Sequence, residues 1–184
     1  MNILIFEGIA TSGKSTIIEN LKQSAKGVVR VASEPETHIP IMHQASDSHE
    51  QFFINLITKL TEEKPDLLIF DRLYLTQAFR AHVSLRQYIQ VEKLLGQYSA
   101  RTIFLKVDEA AIEKRILKAA GHREPRWKRY IRTKGDSPVE IAHYYIEQQA
   151  GQLKLLEESS LTYSIFDTTN HNYEQATKDI IALL

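Results

Sequence analysis

The chain has no cysteine among its 184 residues. That excludes disulfides and any thiolate-bound metal site, and it fits a reducing, cytoplasmic setting. It also lacks net charge, since 23 Lys and Arg balance 23 Asp and Glu. No global basic excess points to nucleic acid, so no nucleic-acid partner is expected. No apolar run approaches the roughly 18 residues that span a bilayer, so no membrane partner is expected either. The first residues enter an apolar stretch with no cationic n-region, which predicts no signal peptide. Repeats and low-complexity segments are missing. A length of 184 residues suits one domain, 1–184, with a sizeable core.

Glycine is scarce too, with seven in all, yet two of them frame one short motif. Residues 8–15 read Gly8-Ile9-Ala10-Thr11-Ser12-Gly13-Lys14-Ser15, the G-x-x-x-x-G-K-[ST] pattern of a phosphate-binding loop. An apolar run, Ile3 to Phe6, precedes it and a helix-capable stretch follows. Gly8 and Gly13 permit backbone conformations that a side chain forbids. The amides between them, at Ala10, Thr11 and Ser12, form an anion-binding nest, and the following helix adds its N-terminal partial charge. Lys14 reaches the β- and γ-phosphates, and the Ser15 hydroxyl is placed for Mg²⁺. ATP·Mg²⁺ is therefore expected over Gly8–Thr16.

Short apolar runs alternate with helical patterns. Strands are expected at Asn2–Phe6, Val28–Ala32, Leu67–Phe70, Thr102–Val107 and Tyr163–Phe166. Helices are expected at Ser15–Ala25, Asp47–Glu63, Leu75–Gly96, Glu109–Ala119, Pro138–Glu158 and Tyr173–Leu183. This order predicts an α/β fold in which a five-stranded parallel sheet is covered by helices on both faces. Ligands of such sheets bind beyond the carboxyl ends of the strands. Gly8, Glu34, Asp71-Arg72, Asp108 and Asp167 all follow expected strand ends.

A second layer of chemistry lies at those ends. Asp71 is placed to hold Mg²⁺ through water, and Arg72 to touch an acceptor phosphate or the transferring phosphoryl group. Glu34 faces the acceptor side, where it would accept a proton or bind a hydroxyl. Pro35 biases Glu34 toward an extended conformation. Gln77 and Arg80, three apart, share a helix face that suits a polar ligand. Phe52 and Phe53 would line an acceptor pocket by stacking, or pack in the core.

Cations concentrate in one place. Nine of the 23 fall between Lys114 and Lys134, with Glu124 the only acid among them. The segment 121–137 between two expected helices reads as a basic lid over the triphosphate. The phosphate-binding loop has no internal Arg, so Arg123, Arg126 or Arg129 must supply the cation that meets the transferring group. Closure of such a lid would exclude water and limit hydrolysis of ATP. The seven histidines do not show helical metal-ligand spacing, and no zinc site is expected.

Phe6-Glu7-Gly8 through Thr16 resembles the opening of thymidylate kinases and of deoxynucleoside kinases, in which Glu precedes the first loop glycine. Ser33-Glu34-Pro35 is similar to the Glu-Pro of both families. Asp71-Arg72 followed by Thr76-Gln77-Ala78-Phe79 resembles the thymidylate kinase Asp-Arg motif and the helix after it. Leu105-Lys106-Val107 through Arg115, then His122-Arg123-Glu124, resembles the strand, helix and lid start. Ala10 stands where thymidylate kinases carry an acid, and Asp71-Arg72 where deoxynucleoside kinases have Glu-Arg. The resemblance implies a three-layer P-loop kinase fold with a basic lid, ATP and Mg²⁺ as cofactors, and a homodimer. It places Arg115 at the nucleotide and Glu34, Phe53, Arg72, Gln77 and Arg80 around a nucleoside or nucleoside monophosphate. A kinase for another hydroxylated small molecule, a sugar or an antibiotic, is the enzyme alternative, and a nucleotide-binding protein without turnover the other. A GTPase-like switch would need an Asn-Lys-x-Asp motif, which the sequence lacks.

Overall fold

The computed structural model describes residues 1–42, 44–122 and 125–184, without the side chains of His122 and Arg126. Five strands form one sheet: β1 (Asn2–Glu7), β2 (Val29–Ala32), β3 (Leu67–Asp71), β4 (Arg101–Lys106) and β5 (Thr162–Asp167). Their spatial order is β2-β3-β1-β4-β5, and every pairing is parallel. The helices are α1 (Lys14–Ser24), α2 (Glu34–Thr37), α3 (His49–Glu62), α4 (Tyr74–Ala81), α5 (Ile89–Gln97), α6 (Glu109–His122), α7 (Pro125–Arg132), α8 (Pro138–Glu158) and α9 (Tyr173–Ile181).

Alternation along β1 sorts the layers. Ile3 and Ile5 pack with residues of α3, α4 and α5, whereas Leu4 and Phe6 pack with α1 and α9. A central strand buried on both faces is largely apolar, which is why β1 reads as a hydrophobic run from Ile3 to Phe6, with buried Glu7 at its end. A third cluster joins Ile9 and Val107 to Ile112, Ile116, Ile131, Ile141 and Tyr145. It anchors α6, α7 and α8 beside the phosphate-binding loop. Among the described residues no helix is long and apolar enough to cross a membrane.

Three local expectations change. The helix expected over Leu75–Gly96 is broken, because His82 takes a left-handed φ of 53° at the end of α4. Its N–H caps the carbonyls of Ala78 and Phe79, and Ser84 then opens a 3-10 turn by accepting from the Arg86 N–H. The basic segment is partly helical: Ile131 draws α7 into the third cluster. Glu34 is not extended. Ser33 is (φ −81°, ψ 163°), and Glu34 begins α2. The Ser33 N–H donates to the Glu36 carboxylate at 3.2 Å, a capping interaction that offsets the restriction Pro35 imposes on its neighbour.

Candidate active site

The register brings the strand ends level. Phe6 pairs with Asp71, and Glu7 with Phe104, so Gly8 and Arg72 emerge side by side. Gly8 (φ 128°) and Gly13 (φ 97°) occupy backbone conformations closed to most side chains. A Cβ on Gly8 would stand 2.6 Å from the Leu105 carbonyl oxygen, and one on Gly13 would stand 2.2 Å from the Tyr173 ring. These contacts, not sequence spacing alone, require glycine. Thr11 also has positive φ, 68°.

Lys14 is buried and donates to the carbonyls of Gly8 (3.0 Å) and Ile9 (2.9 Å). Burial, and then the nearby Arg72 charge, lower its pKa to about 7. A polyanion in the loop would restore the charged form. Ser15 and Thr16 are exposed at the start of α1. Ala10, Thr11 and Gly13 through Thr16 face a cavity of about 1340 Å³, whereas Gly8 and Ser12 do not. Ser12 is fully buried, its carbonyl taken by the Thr168 hydroxyl at 2.8 Å, so it closes the loop from behind.

Arg115 reaches across from α6. It donates to the Thr11 carbonyl at 2.8 Å, to the Thr169 carbonyl at 3.2 Å and to that of Thr168. It therefore clasps the phosphate-binding loop to the β5–α9 loop through backbone groups, and it lines the cavity beside both.

The other half of the cavity is built on β3 and α4. Arg72, at φ 69°, donates to the Gly8 carbonyl at 2.8 Å and lies 3.5 Å from the Glu34 carboxylate. Arg80 meets the other oxygen of Glu34 at 2.9 Å. Burial opposes ionisation of Glu34, but the two guanidinium groups outweigh it and hold its pKa at about 2. The Oδ1 of Asp71 is buried and has no partner among the described residues, and Asp71 lines the same cavity as Ser15. An orphaned carboxylate oxygen in a cavity that also presents a hydroxyl fits a hydrated Mg²⁺, which takes few protein ligands and keeps several waters.

The sequence reading missed the group that fixes α4. Glu7, wholly buried, accepts from the backbone N–H of Leu73 (3.0 Å) and Thr76 (3.3 Å) and from the Thr76 hydroxyl. It serves the first turn of α4 as a remote cap, and burial raises its pKa despite those bonds. Its place before Gly8 was the available signal. Tyr145 of α8 was also missed. It lines the cavity with a buried hydroxyl that has no partner among the described residues, and burial raises its pKa.

Phe53 is placed elsewhere than expected. It is fully buried among Tyr74, Tyr88 and Ile57 and does not line the cavity. On α3 the two adjacent rings cannot share a direction, and Phe53 takes the one toward the sheet. Gln77 and Arg80 both line the cavity, as their shared face implies. Arg123 and the Arg126 side chain lie outside the described residues. Arg129 is exposed and does not line the cavity. From the basic segment the cavity instead receives Trp127, Tyr130 and Lys134, the last lying 4.8 Å from the Tyr144 ring centroid.

No protein-family model matches the chain, and no curated protein matches it. Solved structures do. YorR from Bacillus subtilis, in complex with phosphorylated GDP, is 19% identical with a TM-score of 0.66, over 99% of this chain and 95% of that one. Shikimate kinase from Bacteroides thetaiotaomicron is 12% identical with a TM-score of 0.61, over 99% and 97%. Deoxyadenosine kinase from M. mycoides, with dCMP and dCDP bound, is 13% identical with a TM-score of 0.53, over 98% and 97%. The architecture is the P-loop kinase fold: an all-parallel five-stranded α/β sheet wrapped by helices.

Proposed function

We propose that this protein is an ATP-dependent kinase that transfers the γ-phosphoryl group to a nucleoside or nucleoside monophosphate. The observation that carries this reading is one cavity that holds both the phosphate-binding loop and the Glu34–Arg72–Arg80 cluster. A simple nucleotide-binding protein needs only the first half. The nucleotides present in the YorR and deoxyadenosine kinase structures support a nucleotide acceptor. Shikimate kinase shares the fold, so hydroxylated small molecules other than nucleosides belong in any panel of acceptors.

The residues divide the work. The amides from Ala10 to Gly13 and the start of α1 bind the triphosphate, and Arg115 holds that loop against the nucleotide's side of the cavity. Lys14 exchanges its carbonyl contacts for phosphate oxygens. Ser15 and Asp71 would hold Mg²⁺, which screens the charge on the phosphates. The acceptor oxygen forms a bond to the γ-phosphorus as the bond to the β–γ bridging oxygen breaks, and ADP departs. Arg72 lies where it spans loop and acceptor, so it stabilises charge on the group in transit. Glu34, ionised and gripped by two arginines, accepts a hydrogen bond from the acceptor. Where the acceptor is a nucleoside, Glu34 would take the hydroxyl proton as Arg72 turns to the phosphoryl group, and a monophosphate acceptor, attacking through a phosphate oxygen, needs no such base.

The test is ATP consumption with Mg²⁺ across deoxynucleosides, ribonucleosides, their monophosphates and shikimate-like alcohols. One acceptor should raise the rate far above the rest. A flat response across all of them would overturn the kinase reading, and a response confined to a non-nucleotide alcohol would replace the acceptor.

A further inference from the structure

Beside the Glu34 cluster, four side chains form a buried chain of hydrogen bonds. His38 Nδ1 lies 3.2 Å from Gln77 Oε1, Gln77 Nε2 lies 3.2 Å from His49 Nδ1, and His49 Nε2 lies 3.3 Å from the Gln44 carbonyl oxygen. The Tyr88 hydroxyl also meets His49 Nδ1, at 3.4 Å. His38, His49 and Gln77 are each more than nine-tenths buried, and all three line the cavity.

The far end sets the direction of every bond. A carbonyl only accepts, so His49 Nε2 carries a proton. In the neutral ring Nδ1 is then an acceptor with one lone pair, which takes the Gln77 amide N–H at 3.2 Å, the Tyr88 O–H at 3.4 Å being the longer, secondary contact. That leaves Gln77 Oε1 facing His38, and a carbonyl oxygen there requires the proton of His38 on Nδ1. Burial, with Arg80 adding to it, keeps the His38 imidazole neutral, at a pKa of about 3. Its Nε2 is therefore a bare lone pair, and it is buried without a partner among the described residues. A buried acceptor left unpaired is costly unless something arrives to fill it.

Resting on the acceptor reading above, we infer that His38 is a specificity-determining residue whose Nε2 accepts a hydrogen bond from the phosphoryl acceptor, and that Gln77 and His49 position it by fixing its tautomer. The group it recognises is a polarised donor, either an N–H of the base or an O–H of the sugar. Gln77, with both ends of its amide engaged, does not read the acceptor itself. This differs from the direct contact expected of Gln77 from its helix face.

The experiment begins with the wild-type protein labelled with ¹⁵N at histidine, with His38→Gln used only to assign the signal. Long-range ¹H–¹⁵N correlation should show the Nδ1–H tautomer at His38 and Nε2–H at His49. An Nε2–H at His38 would overturn the proposal whether or not the protein is a kinase, because His38 would then be a donor. Titration follows, with thymidine, deoxycytidine, deoxyadenosine, deoxyguanosine and their monophosphates. The ligand that binds should shift His38 Nε2. Its base N-methylated analogue should lose roughly ten- to a hundred-fold in kcat/KM if the donor is on the base, and its 3′-deoxy analogue if the donor is on the sugar. Binding or turnover that leaves Nε2 unmoved would overturn this proposal alone. A panel in which nothing binds would overturn the nucleoside reading and the proposal together.

Discussion

Arg72 donates to the carbonyl of Gly8 at 2.8 Å while its Nε stands 3.5 Å from Glu34. A single guanidinium thus ties the first glycine of the phosphate-binding loop to the carboxylate of the acceptor half. The fork that makes both contacts belongs to arginine, and a lysine ammonium offers one point of charge. Arg72→Lys should lower kcat by about a hundred-fold or more, with the dissociation constant for ATP changed by less than about three-fold. Isothermal titration and steady-state rates check the two halves. A kcat within about three-fold of wild type would remove Arg72 from the transfer step.

Glu34 is ionised throughout the usable pH range. Its pKa is depressed to about 2, so any stabilisation from its arginines is present above the ordinary carboxylate range and fades as pH falls through about 2. The pH profile of kcat/KM for the acceptor should therefore show no acidic limb from Glu34 above about pH 4. Glu34→Gln should lower turnover by roughly 10²- to 10³-fold and leave ATP affinity little changed. An unaffected rate would take Glu34 out of the mechanism.

Lys14 should titrate near neutrality in the free protein, since burial lowers its pKa to about 7. The protonated form is the one that binds phosphates. Affinity for ATP should accordingly fall by about ten-fold for each pH unit above 7, until the bound-state pKa is reached. Measurements from pH 7.5 to 9 avoid the ionisation of ATP itself. The side-chain ¹³Cε shift of Lys14 should report a pKa that rises when ATP is added. The same depression makes folding stability rise with pH between about 7 and 10.5, because over that window only the unfolded chain keeps the proton.

Phe53 separates core from pocket. Phe53→Ala should cost about 3–5 kcal/mol in denaturant unfolding while the folded fraction keeps its affinity for ATP. A large rise in KM for the acceptor at unchanged stability would return Phe53 to the binding surface.

Gly13→Ala should cost at least about 1 kcal/mol, from a positive φ and a Cβ driven into the Tyr173 ring. Adding Tyr173→Ala should recover only the steric share, so the double variant should remain less stable than Tyr173→Ala alone. Thermal unfolding of the three proteins measures this.

Much of this architecture is legible in the amino-acid order because parallel strands buried on both faces are apolar along most of their length. Ile3 to Phe6 and Leu67 to Phe70 stand out for that reason. The phosphate-binding loop and Asp71-Arg72 follow, since strand ends in such sheets are where ligands meet the protein. Other features depend on which way a side chain turns. The left-handed residue that ends α4 is His82, not the glycine that would have announced it. Phe52 and Phe53 are indistinguishable by type, and only the packing of α3 selects the buried one. His38 and His49 sit on separate elements, and their link runs through Gln77 of a third, so no spacing in the chain exposes it. Glu7 acts on the backbone of α4, a contact that only the register of β1 against β3 creates.

The central claim is that one cavity passes a phosphoryl group from ATP to a small acceptor. Its most direct measurement follows the label of [γ-³²P]ATP, with Mg²⁺, in the presence of each nucleoside and nucleoside monophosphate. The label should move to one acceptor, with little released as inorganic phosphate, and Arg72→Lys should slow formation of that product by about a hundred-fold or more. Label recovered only as inorganic phosphate, or left on ATP with every acceptor, would contradict the claim.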